Sequence, residues 1–243
     1  MKIGVISLGC AKNLVDTENL LGLLHASKQE ITTDYEEADA IIINTCGFIE
    51  SAKVEAINTI LDVADLKEHH LKKLIVMGCL AQRYKPDLEK EMPEVDRFVA
   101  IDEYSNLGTI LSEVLGEKIA NNYGKAPRLL SDQPWMAYLR IADGCDNRCS
   151  YCAIPLIRGD LRSFKEDELV KEAIRLVNFG VKELTLIAQD SSRYGFDWDR
   201  QLHLSSLLKK LDVIEGVRWI RILYLYPDEI PNDLIETIMN SKH

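Results

Sequence analysis

Ala40-Ile41-Ile42-Ile43-Asn44 places three isoleucines in a row between a small residue and a polar one. A continuous β-branched run of this kind is typical of a strand that is buried on both faces. Other short apolar runs precede and follow it, and amphipathic segments separate them. The stretch therefore predicts a parallel sheet with helices packed on both faces.

The same alternation extends over residues 1–116. Four strands are predicted, at Lys2–Leu8, Ala40–Asn44, Leu74–Met77 and Arg97–Ile101. Four helices are predicted to alternate with them, at Leu14–Ala26, Ser51–Leu66, Tyr84–Glu91 and Asn106–Leu115. This βαβα order indicates an α/β N-terminal domain with a doubly wound parallel sheet.

Three cysteines lie one to three residues beyond the ends of three predicted strands, and each is next to a glycine: Cys10, Cys46 and Cys79. Because ligands of parallel sheets bind at the carboxyl ends of the strands, we expect the three thiols to meet at one edge. Glycine lets the backbone approach a bulky inorganic ligand. Free cysteine also packs as a small hydrophobe, but the equivalent placement of all three favours ligation of a metal cluster.

The second half of the chain resumes the βα alternation after a segment with glycine and two prolines. Residues 117–137 are predicted to be a linker, and residues 138–243 to form about three βα units. Three units cannot close a barrel, so we expect part of a (βα) barrel from a longer protein, or an unusually short version. The N-terminal domain is expected to fold alone, and the partial barrel to be unstable in isolation.

A compact cysteine motif follows the first strand of this second domain. Cys145, Cys149 and Cys152 have the spacing C-x3-C-x2-C, with no fourth cysteine nearby and every histidine distant in sequence. Structural zinc sites usually take four protein ligands, whereas iron–sulfur clusters bind cysteine thiolates readily. Three thiolates on a four-iron cluster leave one iron open, and two such sites in one chain indicate redox or radical chemistry.

Composition narrows the class of protein. The chain has 243 residues, is 47% apolar and 28% charged, and carries a formal net charge of −10. No apolar stretch is long enough to span a membrane, and no secretory signal is visible. Six cysteines in a reducing, cytoplasmic setting indicate metal or redox work rather than disulfides. The acidic balance makes direct nucleic-acid binding unlikely and favours a basic partner.

The compact motif, with Tyr151 as the aromatic residue before its last cysteine, resembles that of the radical S-adenosylmethionine superfamily. Three other segments resemble the methylthiotransferase family within it: Ser7-Leu8-Gly9-Cys10-Ala11-Lys12-Asn13, Asn44-Thr45-Cys46-Gly47-Phe48 and Met77-Gly78-Cys79-Leu80-Ala81-Gln82-Arg83. So does the run from Cys152-Ala153-Ile154-Pro155 to Arg162-Ser163. The resemblance covers essentially the whole chain.

The resemblance implies two [4Fe-4S] clusters and S-adenosylmethionine as cofactors. Cys145, Cys149 and Cys152 would ligate the catalytic cluster, whose open iron binds S-adenosylmethionine, and Cys10, Cys46 and Cys79 would ligate an auxiliary cluster used in sulfur insertion. Asn13-Leu14-Val15-Asp16 and Tyr224-Leu225-Tyr226-Pro227 resemble the branch that methylthiolates the β-carbon of an aspartate on small-subunit ribosomal protein twelve. The chain departs from that branch at Ala11, where proline is usual, and at Phe164, where arginine is usual.

Further residues are predicted to contact the cofactor: Tyr151, Arg158, Arg162, Gln189 and Asp190. The alternative for the two arginines is a solvated basic loop, and for Gln189 and Asp190 a helix cap. Tyr224 and Tyr226 are expected to pack inside the barrel.

The expected partners are a basic ribosomal protein and an electron donor such as flavodoxin or ferredoxin. Two other functions remain open, a tRNA adenosine methylthiotransferase and a non-catalytic iron–sulfur or zinc protein.

Overall fold

The computed structural model describes residues 1–227 and 230–243. The chain divides into two compact units, Met1–Leu129 and Leu130–His243. The boundary lies inside the segment predicted to be a linker.

The first unit contains a five-stranded sheet in which every pair of neighbouring strands is parallel. The strands are β1 (Lys2–Ser7), β2 (Glu30–Thr32), β3 (Ala40–Thr45), β4 (Lys73–Gly78) and β5 (Arg97–Val99). The helices are α1 (Ala11–Ala26), α2 (Glu50–Asp65), α3 (Cys79–Glu91) and α4 (Leu107–Leu115). Most boundaries lie within a few residues of the predicted ones, but α3 begins five residues before the predicted start, at Cys79 itself.

The two faces of this sheet have separate hydrophobic cores. Alternate residues of β3 point to opposite faces: Ile41 and Ile43 pack with residues of α2 and α3, whereas Ala40 and Ile42 pack with residues of α1 and α4. The three isoleucines are fully buried, and burying each such side chain contributes about 1.5–3 kcal/mol. The prediction of a doubly wound parallel sheet is therefore confirmed.

Strand β2 was not predicted from the sequence, because it has only three residues at the edge of the sheet and its burial is partial. It pairs with β1 in parallel, which gives the strand order β2-β1-β3-β4-β5. In sheets of this order the chain reverses direction across the sheet between β1 and β3, and ligands bind at that switch point. Cys10 and Cys46 follow the two strands that flank it.

The first half of the predicted linker is packed against the rest of the first unit. Residues 119–129 pack on the first unit: the Ile119 backbone exchanges hydrogen bonds with the Ser112 hydroxyl, and the Ala120 N–H donates to Ser27. Arg128 forms a buried ion pair with Glu18 of α1, at 2.7 Å. This segment therefore extends the first unit beyond the predicted residue 116.

The second unit is built around a three-stranded parallel sheet in the order β10-β9-β6. Its strands are β6 (Met136–Arg140), β9 (Glu183–Ile187) and β10 (Trp219–Ile222), and a small antiparallel pair is formed by β7 (Ala142–Asp143) and β8 (Arg162–Ser163). Its helices are α5 (Ile154–Arg158), α6 (Glu166–Asn178), α7 (Phe196–Asp199), α8 (Leu204–Leu211) and α9 (Asn232–Met239).

Helices α6 and α8 cover the sheet of the second unit through buried leucines such as Leu169, Leu176 and Leu207. The three βα units are β6 with α6, β9 with α8, and β10 with α9. This arrangement confirms the prediction of a partial (βα) barrel. The sequence predicts a last helix over Asp228–Met239, and the first two residues of that range lie outside the described residues.

In the described parts of the chain, no helix has both the length and the apolar character that crossing a membrane requires.

Candidate metal centres

The first candidate centre lies at the carboxyl ends of β1, β3 and β4. Cys10 comes three residues after β1, Cys46 directly after β3 and Cys79 directly after β4. Cys46 and Cys79 are buried and Cys10 is exposed, and none of the three forms a disulfide with a described residue. The sheet therefore places the three cysteines in neighbouring loops at one edge, and one of the three is open to solvent.

Close backbone approach brings the Cys10 and Cys46 loops together. Gly9 has φ +95°, and a Cβ atom there would lie 2.7 Å from Cys46 Cβ and 3.4 Å from its Sγ. Only glycine fits this position without displacing Cys46. The third loop joins through Asn13, whose Oδ1 accepts a hydrogen bond from Cys79 Sγ at 3.4 Å.

The second candidate centre is the loop after β7, in which Cys145, Cys149 and Cys152 are all partly exposed free thiols. The Cys145 N–H donates to Gly159 O, and the Cys152 N–H closes a tight turn onto Cys149 O, both at 3.0 Å. Burial raises the pKa of the Cys145 thiol, and the neighbouring carboxylates of Asp190 and Asp146 add to this effect. Cys145 is therefore a protonated thiol in the free chain, and binding a metal there releases its proton.

The loop after β9 supports the cysteine loop through side-chain bonds. Asn147 Nδ2 donates to Asp190 at 2.8 Å, and Arg193 donates to Asn147 Oδ1 at 2.5 Å. Arg193 also pairs with Asp146 at 3.3 Å. The other oxygen of Asp190 accepts from the Ser192 backbone N–H and from its hydroxyl. Residues between the first two cysteines of the motif are thus bound by side chains that lie 43 or more positions later in the sequence.

Asp143, at the end of β7, is the centre of a buried polar cluster. Arg158, whose side chain is 2% exposed, pairs with it at 3.2 Å, and Arg140 pairs with it at 3.6 Å. Burial pushes the pKa of Asp143 upward, but the two arginines outweigh it, so the pKa lies below its ordinary value. Asp143 is therefore ionised, and it also accepts from Gln189 Nε2 at 3.4 Å.

Gln189 presents a free acceptor beside this cluster. Its Oε1 is buried and has no hydrogen-bond partner among residues 1–227 and 230–243. A buried acceptor of this kind costs stability unless a donor reaches it, and a ligand with N–H or O–H groups is a suitable donor.

Comparison with known proteins identifies both halves of the chain. Residues 2–100 match the uncharacterized protein family UPF0004, and residues 139–241 match the radical SAM superfamily. Proteins named ribosomal protein uS12 methylthiotransferase RimO are 49% identical in Acetivibrio thermocellus and 50% identical in Aquifex aeolicus. These alignments cover 99% and 100% of this chain, and 56% and 54% of the two relatives.

The chain belongs to the RimO-like family of radical SAM proteins. It spans about half the length of the curated relatives that it matches. The predicted resemblance to the RimO-like branch is therefore confirmed as a family assignment.

Solved structures agree on the fold of this RimO-like chain. The radical S-adenosylmethionine methyltransferase TsrM from Kitasatospora setae, solved with cobalamin and a [4Fe-4S] cluster, matches with a TM-score of 0.63 at 11% identity. That match covers 98% of this chain and 58% of TsrM. The cobalamin-dependent radical enzyme OxsB matches with a TM-score of 0.53 at 10% identity, covering 98% and 41%. At such identities the likeness concerns the fold alone.

The predicted cofactor-contact residues of the RimO-like chain differ in their surroundings. Arg158 is buried in an ion pair, so a solvated basic loop is wrong for it, whereas Arg162 is exposed and lies over the Phe164 ring at 5.7 Å. Both oxygens of Asp190 bind protein groups, which favours a supporting role over direct contact with a cofactor. Tyr151 is 83% exposed.

The two tyrosines after β10 are not packed inside the barrel as predicted. Tyr224 is 46% exposed and Tyr226 40% exposed. Electrostatic interaction with Cys149, and then a hydrogen bond with its side chain, raise the pKa of Tyr226 to about 12. Backbone bonds from Tyr226 to Ser192 Oγ and from Ser191 to Tyr224 O fix this loop against the one after β9. In a sequence, aromatic residues within an apolar run have the pattern of core residues, so the exposure of these two tyrosines could not be predicted.

Described residues include no group of three His, Cys, Asp or Glu side chains close enough to hold a single metal ion. A four-iron cluster binds each thiolate to a different iron atom, so its ligands stand farther apart than those of one ion. The three cysteine thiols at each centre match the ligand type that iron–sulfur clusters use.

Replacing Gly144 by alanine is expected to disrupt the cysteine loop. Gly144 has φ +73°, and a Cβ atom there would lie 2.1 Å from the backbone oxygen of Asp160. We expect a loss of stability above the roughly 1–3 kcal/mol that a strained backbone conformation costs, together with loss of iron from Cys145, Cys149 and Cys152. Urea unfolding and iron content of the reconstituted variant measure both.

Gly124→Ala is a matched control, because Gly124 has φ +71° and no atom lies within 4 Å of a Cβ placed there. It carries the backbone strain without the collision. Equal effects of the two substitutions would contradict a specific role for the Gly144–Asp160 contact.

Proposed function

We propose that this chain is the cluster-binding part of a radical S-adenosylmethionine methylthiotransferase that adds a methylthio group to the β-carbon of an aspartate on ribosomal protein uS12. The observation that carries the proposal is the presence of two thiol triplets, one at the carboxyl ends of three parallel strands and one in the loop after β7. One lies in each unit of the chain. One cluster-binding loop would suffice for electron transfer alone, whereas sulfur insertion into carbon needs a radical source and a sulfur site.

The donor sets fit two [4Fe-4S] clusters and S-adenosylmethionine. Cys145, Cys149 and Cys152 would hold one cluster, and Cys10, Cys46 and Cys79 the other, each with one iron left for an outside ligand. When bound, these groups supply a carbon-centred radical, a sulfur atom and a methyl group. The reaction replaces a carbon–hydrogen bond of the substrate with a carbon–sulfur bond.

The chain's own residues hold and orient these groups. Asp143 keeps Gln189 Nε2 engaged, which leaves Gln189 Oε1 as a buried acceptor for an amino or hydroxyl group of S-adenosylmethionine. Arg158 neutralises Asp143 in the interior. Asn147, Asp190 and Arg193 hold the cysteine loop in place, and Tyr226 lies beside Cys149 at its exposed side. Arg162 and Tyr151, both exposed, are available to S-adenosylmethionine or to the substrate.

The substrate assignment is supported by the names of the relatives and by charge. A net charge of −10 attracts a basic protein and repels the phosphate backbone of tRNA. The electron donor in this proposal is a flavodoxin or ferredoxin. The location is the cytoplasm, whose reducing conditions disfavour disulfides between the six cysteines.

The experiment follows a deuterium atom. The anaerobically reconstituted chain is reduced in the presence of S-adenosylmethionine and a uS12 peptide that carries deuterium on the β-carbon of the target aspartate. We expect deuterium in the 5′-deoxyadenosine product, detected by mass spectrometry. No deuterium transfer from the peptide, or hydrogen abstraction from labelled tRNA instead, would contradict the proposal.

A further inference from the structure

Asn13 is a polar side chain that is fully buried among the three cysteine loops of the first unit. It lies in the first turn of α1, three residues after Cys10, and is 0% exposed. Its Nδ2 donates to Leu8 O and to Thr45 O, both at 3.0 Å. Leu8 precedes Gly9-Cys10, and Thr45 precedes Cys46 directly, so one amide group joins two of the loops.

Chemistry fixes the orientation of this amide. Backbone carbonyls only accept hydrogen bonds, so the atom that faces both Leu8 O and Thr45 O must be the nitrogen. Both hydrogens of Nδ2 are then used. The oxygen is left on the opposite side, where it accepts from Cys79 Sγ at 3.4 Å. The third loop is therefore joined through the other atom of the same group.

The loops converge closely on this side chain. A Cβ atom on Gly9 would lie 3.1 Å from Asn13 Nδ2 and 2.7 Å from Cys46 Cβ. Asn44 adds a further support, because its Nδ2 donates to the backbone oxygen of Asn13 at 2.8 Å. Asn13 thus stands at the point where the loops of Cys10, Cys46 and Cys79 meet.

We propose that Asn13 is a positioning residue that holds the three cysteine loops in the arrangement required by the auxiliary cluster. The inference rests on the proposed function, because it takes Cys10, Cys46 and Cys79 as cluster ligands. Residues that orient metal ligands commonly change metal affinity about 10- to 100-fold when they are replaced.

The two sides of the amide differ in the strength of their bonds. A thiol is a weak donor, so the bond from Cys79 Sγ to Oδ1 at 3.4 Å contributes less. The two N–H donors of Nδ2 bind the backbone oxygens of Leu8 and Thr45. The positioning role therefore belongs mainly to the nitrogen, and an aspartate, which keeps the oxygen but lacks both donors, cannot replace asparagine here.

The test isolates the auxiliary cluster in the full chain with Cys145, Cys149 and Cys152 changed to alanine. Asn13→Asp and Asn13→Ala are compared with Thr17→Val after anaerobic reconstitution. Thr17 lies one turn farther along α1, is also buried, and bonds the side chains of Ser7 and Asn44. The measurements are the rate of iron release to a chelator, the electron paramagnetic resonance spectrum of the reduced cluster, and the urea midpoint.

We expect both Asn13 variants to release iron about 10-fold faster or more and to have altered spectra. We expect Thr17→Val to shift only the urea midpoint. If Asn13→Asp does not fold, Asn13→Ala decides the question. Iron release at the parent rate in the folded Asn13 variants would overturn the inference. So would faster iron release in Thr17→Val, if the increase in rate follows the loss of stability in all the variants.

Failure of the underlying function has a different signature. If changing Cys10, Cys46 and Cys79 to alanine leaves the iron content of this background unchanged, the auxiliary cluster itself is refuted. If that change removes the iron but the Asn13 variants keep it, only the role of Asn13 is refuted.

Discussion

Replacing Cys149 by alanine is expected to abolish the reductive cleavage of S-adenosylmethionine. The variant leaves two thiolates, Cys145 and Cys152, where a four-iron cluster with one open iron needs three. The loop is otherwise held by Asn147 and by the Cys145 N–H, so the fold should persist. Formation of 5′-deoxyadenosine, measured by chromatography under reducing conditions, should fall to the level without protein.

Cys46→Ala is the matched control for Cys149→Ala, because it removes a cysteine from the other unit. It should retain cleavage of S-adenosylmethionine. Cleavage at the parent rate in Cys149→Ala would refute the radical assignment and leave a non-catalytic metal protein as the better account.

Changing Cys10, Cys46 and Cys79 together to alanine is expected to separate the two halves of the reaction. The loop that we propose to generate the radical lies in the second unit and keeps its ligands, so 5′-deoxyadenosine should still form. Methylthio transfer to a uS12 peptide should be lost, since the proposed sulfur site is gone. Mass spectrometry of the peptide and chromatography of the nucleoside measure the two outcomes in one reaction.

A variant of the first unit that leaves its cysteines intact provides the control for this experiment. Asn58, an exposed residue of α2, can be changed to alanine, and both products should persist. Undiminished methylthio transfer in the three-cysteine variant would contradict a role for these thiols in sulfur insertion.

The sequence sufficed to predict the architecture where periodicity was strong. The isoleucine run of β3 predicted a strand buried on both faces, and the glycine-flanked cysteines predicted thiols at the strand ends. Strand β2 was not predicted, because three partly buried residues are too few to show an alternation of apolar and polar side chains. The extension of the first unit through residues 119–129 was not predicted, because its contacts are single hydrogen bonds and the Arg128–Glu18 ion pair, and its segment has no apolar repeat.

The residues that hold the cysteines of each centre in place could not be predicted from the sequence, because their hydrogen bonds join residues far apart in the chain. Asn147 and Asp190 are 43 positions apart, and Asn13 and Cys79 are 66 apart. Isolated asparagines and aspartates usually occupy caps, turns or solvated surface. Only the folded arrangement distinguishes Asn13, Asp143 and Asn147 from such residues. The spacing of the cysteines, in contrast, is enough to predict metal-cluster binding from the sequence.

Quantification of iron and acid-labile sulfide in the anaerobically reconstituted chain tests the central claim most directly. Two four-iron clusters on two sets of three thiols predict about eight iron atoms and about eight sulfides per chain. About four of each, unchanged when Cys10, Cys46 and Cys79 are replaced by alanine, would contradict the account.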